Sequence, residues 1–184
     1  MKKQLFLLFI SLSASISAFS QNYISVGQAK YEATNIWNFQ VKNYAWAENI
    51  QIQVAKQPAG GYLFMVLPVP SQTVFIDGEL TVFLKNGTNF SCPANELLDN
   101  EGGMDAGGMA ESLYSLTPAQ MKLLTTSNIS KILFTVRQNG GEYEGPDVTG
   151  NYVAVNEKIV YDYIDYINKK GSYVFETASD IGSL

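Results

Sequence analysis

TVFIDGELTVFLKNGTNFSC, residues 73–92, is the stretch from which the fold is read. Three runs rich in β-branched and aromatic residues, Thr73–Ile76, Glu79–Lys85 and Thr88–Cys92, are separated by Asp77-Gly78 and Asn86-Gly87. Both dipeptides tolerate the positive φ angles of tight hairpin turns, so the sequence predicts a three-stranded meander over 73–92. Upstream, Trp37, Phe39 and Val41 alternate with Asn38, Gln40 and Lys42, and Ile50, Ile52 and Val54 alternate with Gln51 and Gln53. A period of two with one apolar face describes half-buried strands. Gly61 to Pro68, GYLFMVLP, is apolar without alternation, as expected of a central strand covered on both faces. Pro68 and Pro70 then end it.

Downstream the character changes. Residues 93–111 form an acidic, glycine-rich segment with no base, read as a loop. Thr117-Pro118-Ala-Gln120 is a helix start: Thr117 as the cap, Pro118 at the first helical position and Gln120 closing a capping box, with Leu116 and Met121 placed to staple across it. The helix is predicted over 117–127, followed by a strand whose inward face carries Ile132, Phe134 and Val136. A second acidic, glycine-rich loop spans 138–150, and another strand is expected at Tyr152–Val155. Residues 158–170, KIVYDYIDYINKK, place Val160, Ile164 and Ile167 on one helical stripe and Asp162, Asp165 and Lys169 on the other. A helix is therefore predicted there, ended by Gly171, with a short edge strand over Ser172–Glu176. The expected architecture is α+β, a mostly antiparallel sheet of about six to eight strands with two helices, near 117–127 and 158–170, packed on one face.

The first twenty residues, MKKQLFLLFISLSASISAFS, combine Lys2 and Lys3 with an apolar stretch and small residues at Ala18 and Ser20. This is the pattern of a secretory signal peptide, too short and serine-rich for a permanent membrane helix. Residues 21–184 are then expected as one globular domain, exported to the periplasm or the exterior, with no transmembrane segment. The single cysteine, Cys92, does not follow the cleavage point, so a bacterial lipid anchor is not expected. Without Lys2 and Lys3 the chain carries ten Lys plus Arg against seventeen Asp plus Glu, a formal charge of −7 in place of −5. With Arg137 as its one arginine and no basic run, the chain lacks the electrostatic footprint of nucleic-acid binding. Cys92 reads as a half-buried strand residue, and three N-x-Ser/Thr triplets, at Asn86, Asn89 and Asn128, read as chance matches.

The chain has no histidine. That removes Ser-His-Asp and Cys-His nucleophile systems, the usual neutral-pH base and the commonest zinc ligand. No Gly-x-Ser-x-Gly elbow, Gly-Lys dipeptide or G-x-G-x-x-G occurs either. Carboxylates remain. Glu142 with Glu144, and Asp162 with Asp165 beside Tyr161, Tyr163, Tyr166 and Tyr173, are the pairs a glycan hydrolase could use, set against the reading of solvated charge and of tyrosines bordering the core. Asp99, Glu101 and Asp105 offer hard oxygens suited to extracellular calcium, although Gly103 breaks the EF-hand pattern. The two acidic loops flank residues 112–137 and are candidates for one shared rim.

The hairpin at Glu79–Cys92, the acidic loop after it, the Leu-Thr-Pro-Ala-Gln helix start and the Ile-rich strand at 129–136, together with the signal peptide, resemble small exported Bacteroidota proteins of unassigned function. That resemblance carries no catalytic residues onto this chain. The expected function is that of an exported, non-enzymatic binding or envelope-associated protein acting through its surface on a protein or glycan partner, with no cofactor beyond possible calcium. A carboxylate-dependent glycan hydrolase and a calcium-stabilised interaction module are the alternatives.

Overall fold

The computed structural model describes residues 22–69, 74–93, 109–138, 148–161 and 169–184. Alternating segments give the strands Trp37–Lys42 (β3) and Asn49–Gln57 (β4), preceded by a hairpin of Asn22–Val26 (β1) and Ala29–Ala33 (β2). Gly60–Pro68 (β5), Val74–Leu84 (β6), Asn89–Cys92 (β7) and Met109–Leu116 (β8) follow, and then the helix Pro118–Thr126 (α1). Ile129–Gln138 (β9), Val148–Val155 (β10), Lys158–Tyr161 (β11), Lys169–Tyr173 (β12) and the short helix Thr177–Gly182 (α2) complete the described chain. The class is the expected one, a mostly antiparallel sheet with two short helices. The strands number twelve among the described residues, above the six to eight expected, and ten share one sheet.

The sheet runs β7-β6-β9-β10-β3-β4, and β4 uses its other edge to pair β5, which pairs β8. It curls until β8 comes near β6 and β7, with which it does not pair among the described residues. The inward residues of every long strand meet in one core: Trp37, Phe39, Ile50, Ile52, Leu63, Met65, Ile76, Val82, Ile132, Phe134 and Ala154. β5 is central as expected, because it has a second cover. The β1–β2 hairpin lies on its outward side, where Ile24, Ala33, Ala55, Tyr62 and Leu113 form a small separate cluster and Tyr31 meets Tyr62 edge-on at 5.2 Å. β8 also takes in residues 109–111, read from sequence as loop; Ala110 among them is buried opposite Leu67.

Two expectations are corrected. Asp77-Gly78 does not reverse the chain: β6 continues through it, and Gly78, Glu79 and Leu80 lie opposite the single residue Phe134 of β9. Gly78 adopts φ 69° and its N–H is held by Asp77 Oδ1 at 2.7 Å, so the dipeptide makes a bulge that bends the strand. Ile76 and Leu80 stay on the same inward face across it. Asn86-Gly87 does turn the chain, through a turn closed by Gly87 N–H to Leu84 O at 3.1 Å, with Gly87 at φ 88°. The second correction concerns 158–170. Its described ends are strands, β11 and β12, paired Lys158↔Tyr173 through Val160↔Gly171. Ile159, Val160 and Tyr161 favour a pleated backbone as much as a helical stripe. Cross-strand contacts decide it: Lys169 Nζ is 3.3 Å from Glu157 Oε1, and Lys158 Nζ sits 5.5 Å from the Tyr173 ring centre. Gly171 thus lies inside a strand rather than ending a helix.

The helix at 118–126 forms as the sequence demands. Thr117 Oγ1 accepts from Gln120 N–H at 3.2 Å, and Thr117 N–H donates to Gln120 Oε1 at 2.8 Å. Gln120 Nε2 also reaches Ser91 O at 3.0 Å, tying the helix to β7. Gly60, at φ 138°, lets the β4–β5 turn approach the helix start: a Cβ there would lie 2.0 Å from Leu116 O. The two helices pack together over strand ends rather than on a sheet face. Trp37 Nε1 donates to Asp180 Oδ2 at 2.8 Å, and Thr177 Oγ1 accepts Ile129 N–H at 2.8 Å. Asn156, buried, donates to Ile129 O and Phe175 O and accepts Phe175 N–H, all within 2.9 Å. Asn128 donates to Glu176 Oε2 and accepts Ala178 N–H. The C-terminal segment is therefore latched by side-chain amides.

Candidate functional cleft

Outside the core, the outward residues of β3 meet β11 across a cleft of about 350 Å³. Strand alternation supplies one wall: because Trp37 and Phe39 turn inward, Asn38 and Gln40 turn out, into the cleft, and Val41 lies both in the core and on the cleft's lining. Asn49, opposite Gln40 at the start of β4, adds a third amide. The connection 43–48 between β3 and β4 contributes Tyr44, Ala47 and Glu48, and its path is set by Asn43 at φ 61° and by Val41 N–H donating to Glu48 O at 2.8 Å. β11 contributes Lys158, Ile159 and Tyr161.

The chemistry of this lining is close to neutral. Among the described residues, Glu48 and Lys158 are its one carboxylate and one ammonium, and the rest is amide, aromatic and aliphatic. Gln40 Oε1 accepts from Lys42 Nζ. Among the described residues, the side chains of Asn38 and Asn49 have no hydrogen-bond partner within the protein. Tyr44 is half-buried, its ring edge-on to Tyr152 at 4.7 Å, and its shielded hydroxyl has no partner. Burial, and then the neighbouring Tyr152, push the Tyr44 hydroxyl up to about 12, so it stays protonated and remains a donor near neutral pH. Tyr161 is 44% exposed, and Trp46, on the same connection as Tyr44, is 53% exposed.

The residues singled out from sequence as catalytic or metal-binding, Asp99, Glu101 and Asp105, Glu142 and Glu144, and Asp162 and Asp165, are not among those the structure describes. Among the described residues no three of Cys, Asp and Glu gather as a metal site, and no helix is long and apolar enough to cross a membrane. Tyr161 and Tyr173, read as the border of the core, are partly exposed on the β11–β12 pair, and Tyr173 meets Phe175, which packs on the core, edge-on at 5.5 Å. Cys92 is not half-buried but fully buried in β7; burial foremost, and the Glu79 carboxylate after it, push its thiol up to about 12. A thiol so placed is not a nucleophile at neutral pH. Sequence reasoning missed Asn38, Gln40 and Asn49 because polar residues on the outer face of a strand read as solvated. The one available signal was the pair Tyr44 and Trp46 between two strands, aromatic residues where a short connection is usually small and polar.

No family model, curated protein or solved structure matches this chain.

Proposed function

We propose that the protein is exported and binds a partner at its surface without transforming it, and that the cleft lined by β3, the 43–48 connection and β11 is where it does so. The observation that carries this reading is the cleft's lining among the described residues: amides, two of them unpartnered, and tyrosines with a single carboxylate, Glu48. Glycoside hydrolysis in its usual form needs two carboxyl groups at a set separation, and the absence of histidine removes the usual neutral-pH base. The described lining residues supply recognition chemistry and little proton-transfer chemistry. The signal-like leader over 1–20 supports export.

The test is photo-crosslinking from position 46, where a benzophenone side chain replaces the exposed Trp46, in cells producing the full chain. The expected result is a discrete envelope adduct that is lost when Asn38 and Asn49 are both changed to Ala, from a protein whose mass shows removal of residues 1–20. Free diffusion without adducts, or multiple turnover of any envelope substrate abolished by neutralising one acid, would sink this reading.

A further inference from the structure

We infer that the cleft takes an uncharged, hydroxyl-rich ligand, a short saccharide; this rests on the reading of the protein as a binding protein and names the chemistry of its partner. Side-chain amides both donate and accept, as sugar hydroxyls do. Asn38 and Asn49 stand in the cleft with that capacity unused among the described residues. An anionic ligand calls for several cations and a cationic ligand for several carboxylates. Among the described residues the lining offers one of each, Lys158 and Glu48, which leaves neither sign in excess. An extended peptide would seek an open strand edge; in β3, Trp37–Gln40 pair β4 and Gln40–Lys42 pair β10, while β11 pairs β12 alone among the described residues, so peptides are the competing ligand class in the titration below.

Aromatic groups complete the match. The C–H face of a pyranose ring is apolar and packs on an aromatic ring, and Tyr161 lines the cleft while still partly exposed. Tyr44 also lines the cleft, with its hydroxyl shielded and, among the described residues, without a partner. The volume, about 350 Å³, is at the small end of the roughly 300–1,000 Å³ found for ligand pockets, which fits a short saccharide rather than a long polymer lying in a groove.

The experiment is an NMR and calorimetric titration of the mature chain, residues 21–184, with three probe sets of matched size: neutral oligosaccharides built from hexoses and N-acetylhexosamines, uronic-acid oligosaccharides, and short peptides. The expected result is saturable binding of a neutral saccharide, with amide shifts confined to 38–49 and 158–161. Asn49→Ala and Asn38→Ala should each weaken it about tenfold, the factor for one lost hydrogen bond of ordinary strength, with Tm unchanged. Binding of uronates or peptides alone, neutral binding that leaves 38–49 unperturbed, or no binding by any saccharide overturns the inference while the binding-protein reading stands on its crosslink. Release of new reducing ends during the titration overturns that reading itself.

Discussion

The two ends of the β3–β10 neighbourhood use the same kind of side chain in opposite ways. At the C-terminal latch, Asn156 and Asn128 spend their amides on backbone and side-chain groups of residues 129 and 175–178. In the cleft, Asn38 and Asn49 have no protein partner among the described residues. A buried amide must be paired, because leaving it unpaired costs more than the net gain of pairing it. An amide on the wall of an open cleft is kept solvated by water and is free to exchange that water for a ligand. The contrast separates amides that hold the fold from amides that are available for recognition.

The largest break in this contrast is expected at the latch. Trp37→Ala removes a side chain that is 1% exposed together with its bond to Asp180, and should cost about 3–5 kcal/mol in urea unfolding. Trp37→Phe should cost much less, isolating the packing from the hydrogen bond. Asn156→Ala leaves Ile129 O, Phe175 O and Phe175 N–H without their shared partner, and about 2–3 kcal/mol is expected, again by urea unfolding.

An intermediate effect follows from pH. The Cys92 thiol has an ordinary value near 9.0 when unfolded and is pushed up to about 12 in the fold, chiefly by burial. Between these values the unfolded chain has lost a proton that the folded chain keeps, so stability is intact below about pH 9 and falls as pH rises toward 12. Tyr44, raised from 10.0 to about 12, adds to the same fall at its upper end. Unfolding at pH 8 and pH 10 should show the loss, and Cys92→Ala should shrink the difference. The same burial predicts no reaction of native Cys92 with a thiol reagent at pH 8, and complete reaction after unfolding.

The smallest stability effect sharpens the comparison most. Asn38→Ala and Asn49→Ala, chemically the same change as Asn156→Ala, should alter stability by no more than about 0.5 kcal/mol, because they remove no contact on which the fold depends. If either matched the Asn156 effect in the same urea assay, these amides would be structural and the cleft would lose its claim to be a site.

Much of the scaffold was legible because it rests on short-range rules. The alternation at 37–42 and 50–54, the apolar β5 and the Thr117 capping box each need only neighbours in sequence, and each forms as read. The misreadings arise where a local signal had two outcomes. Asp77-Gly78 supports a turn or a bulge equally well, and the continuous partner strand β9 selects the bulge. Residues 158–161 fit a helical stripe or a strand, and pairing with β12 selects the strand.

The sequence alone determined the β-rich class, the inward faces of the long strands, the start of α1 and the absence of imidazole chemistry, since all of these follow from residue identity and a period of two or of 3.6. Tertiary structure alone decided which polar residues are spent and which are available. Asn38 and Asn156 are the same residue, and only the arrival of a distant segment beside one of them, and of an open cleft beside the other, gives them different work.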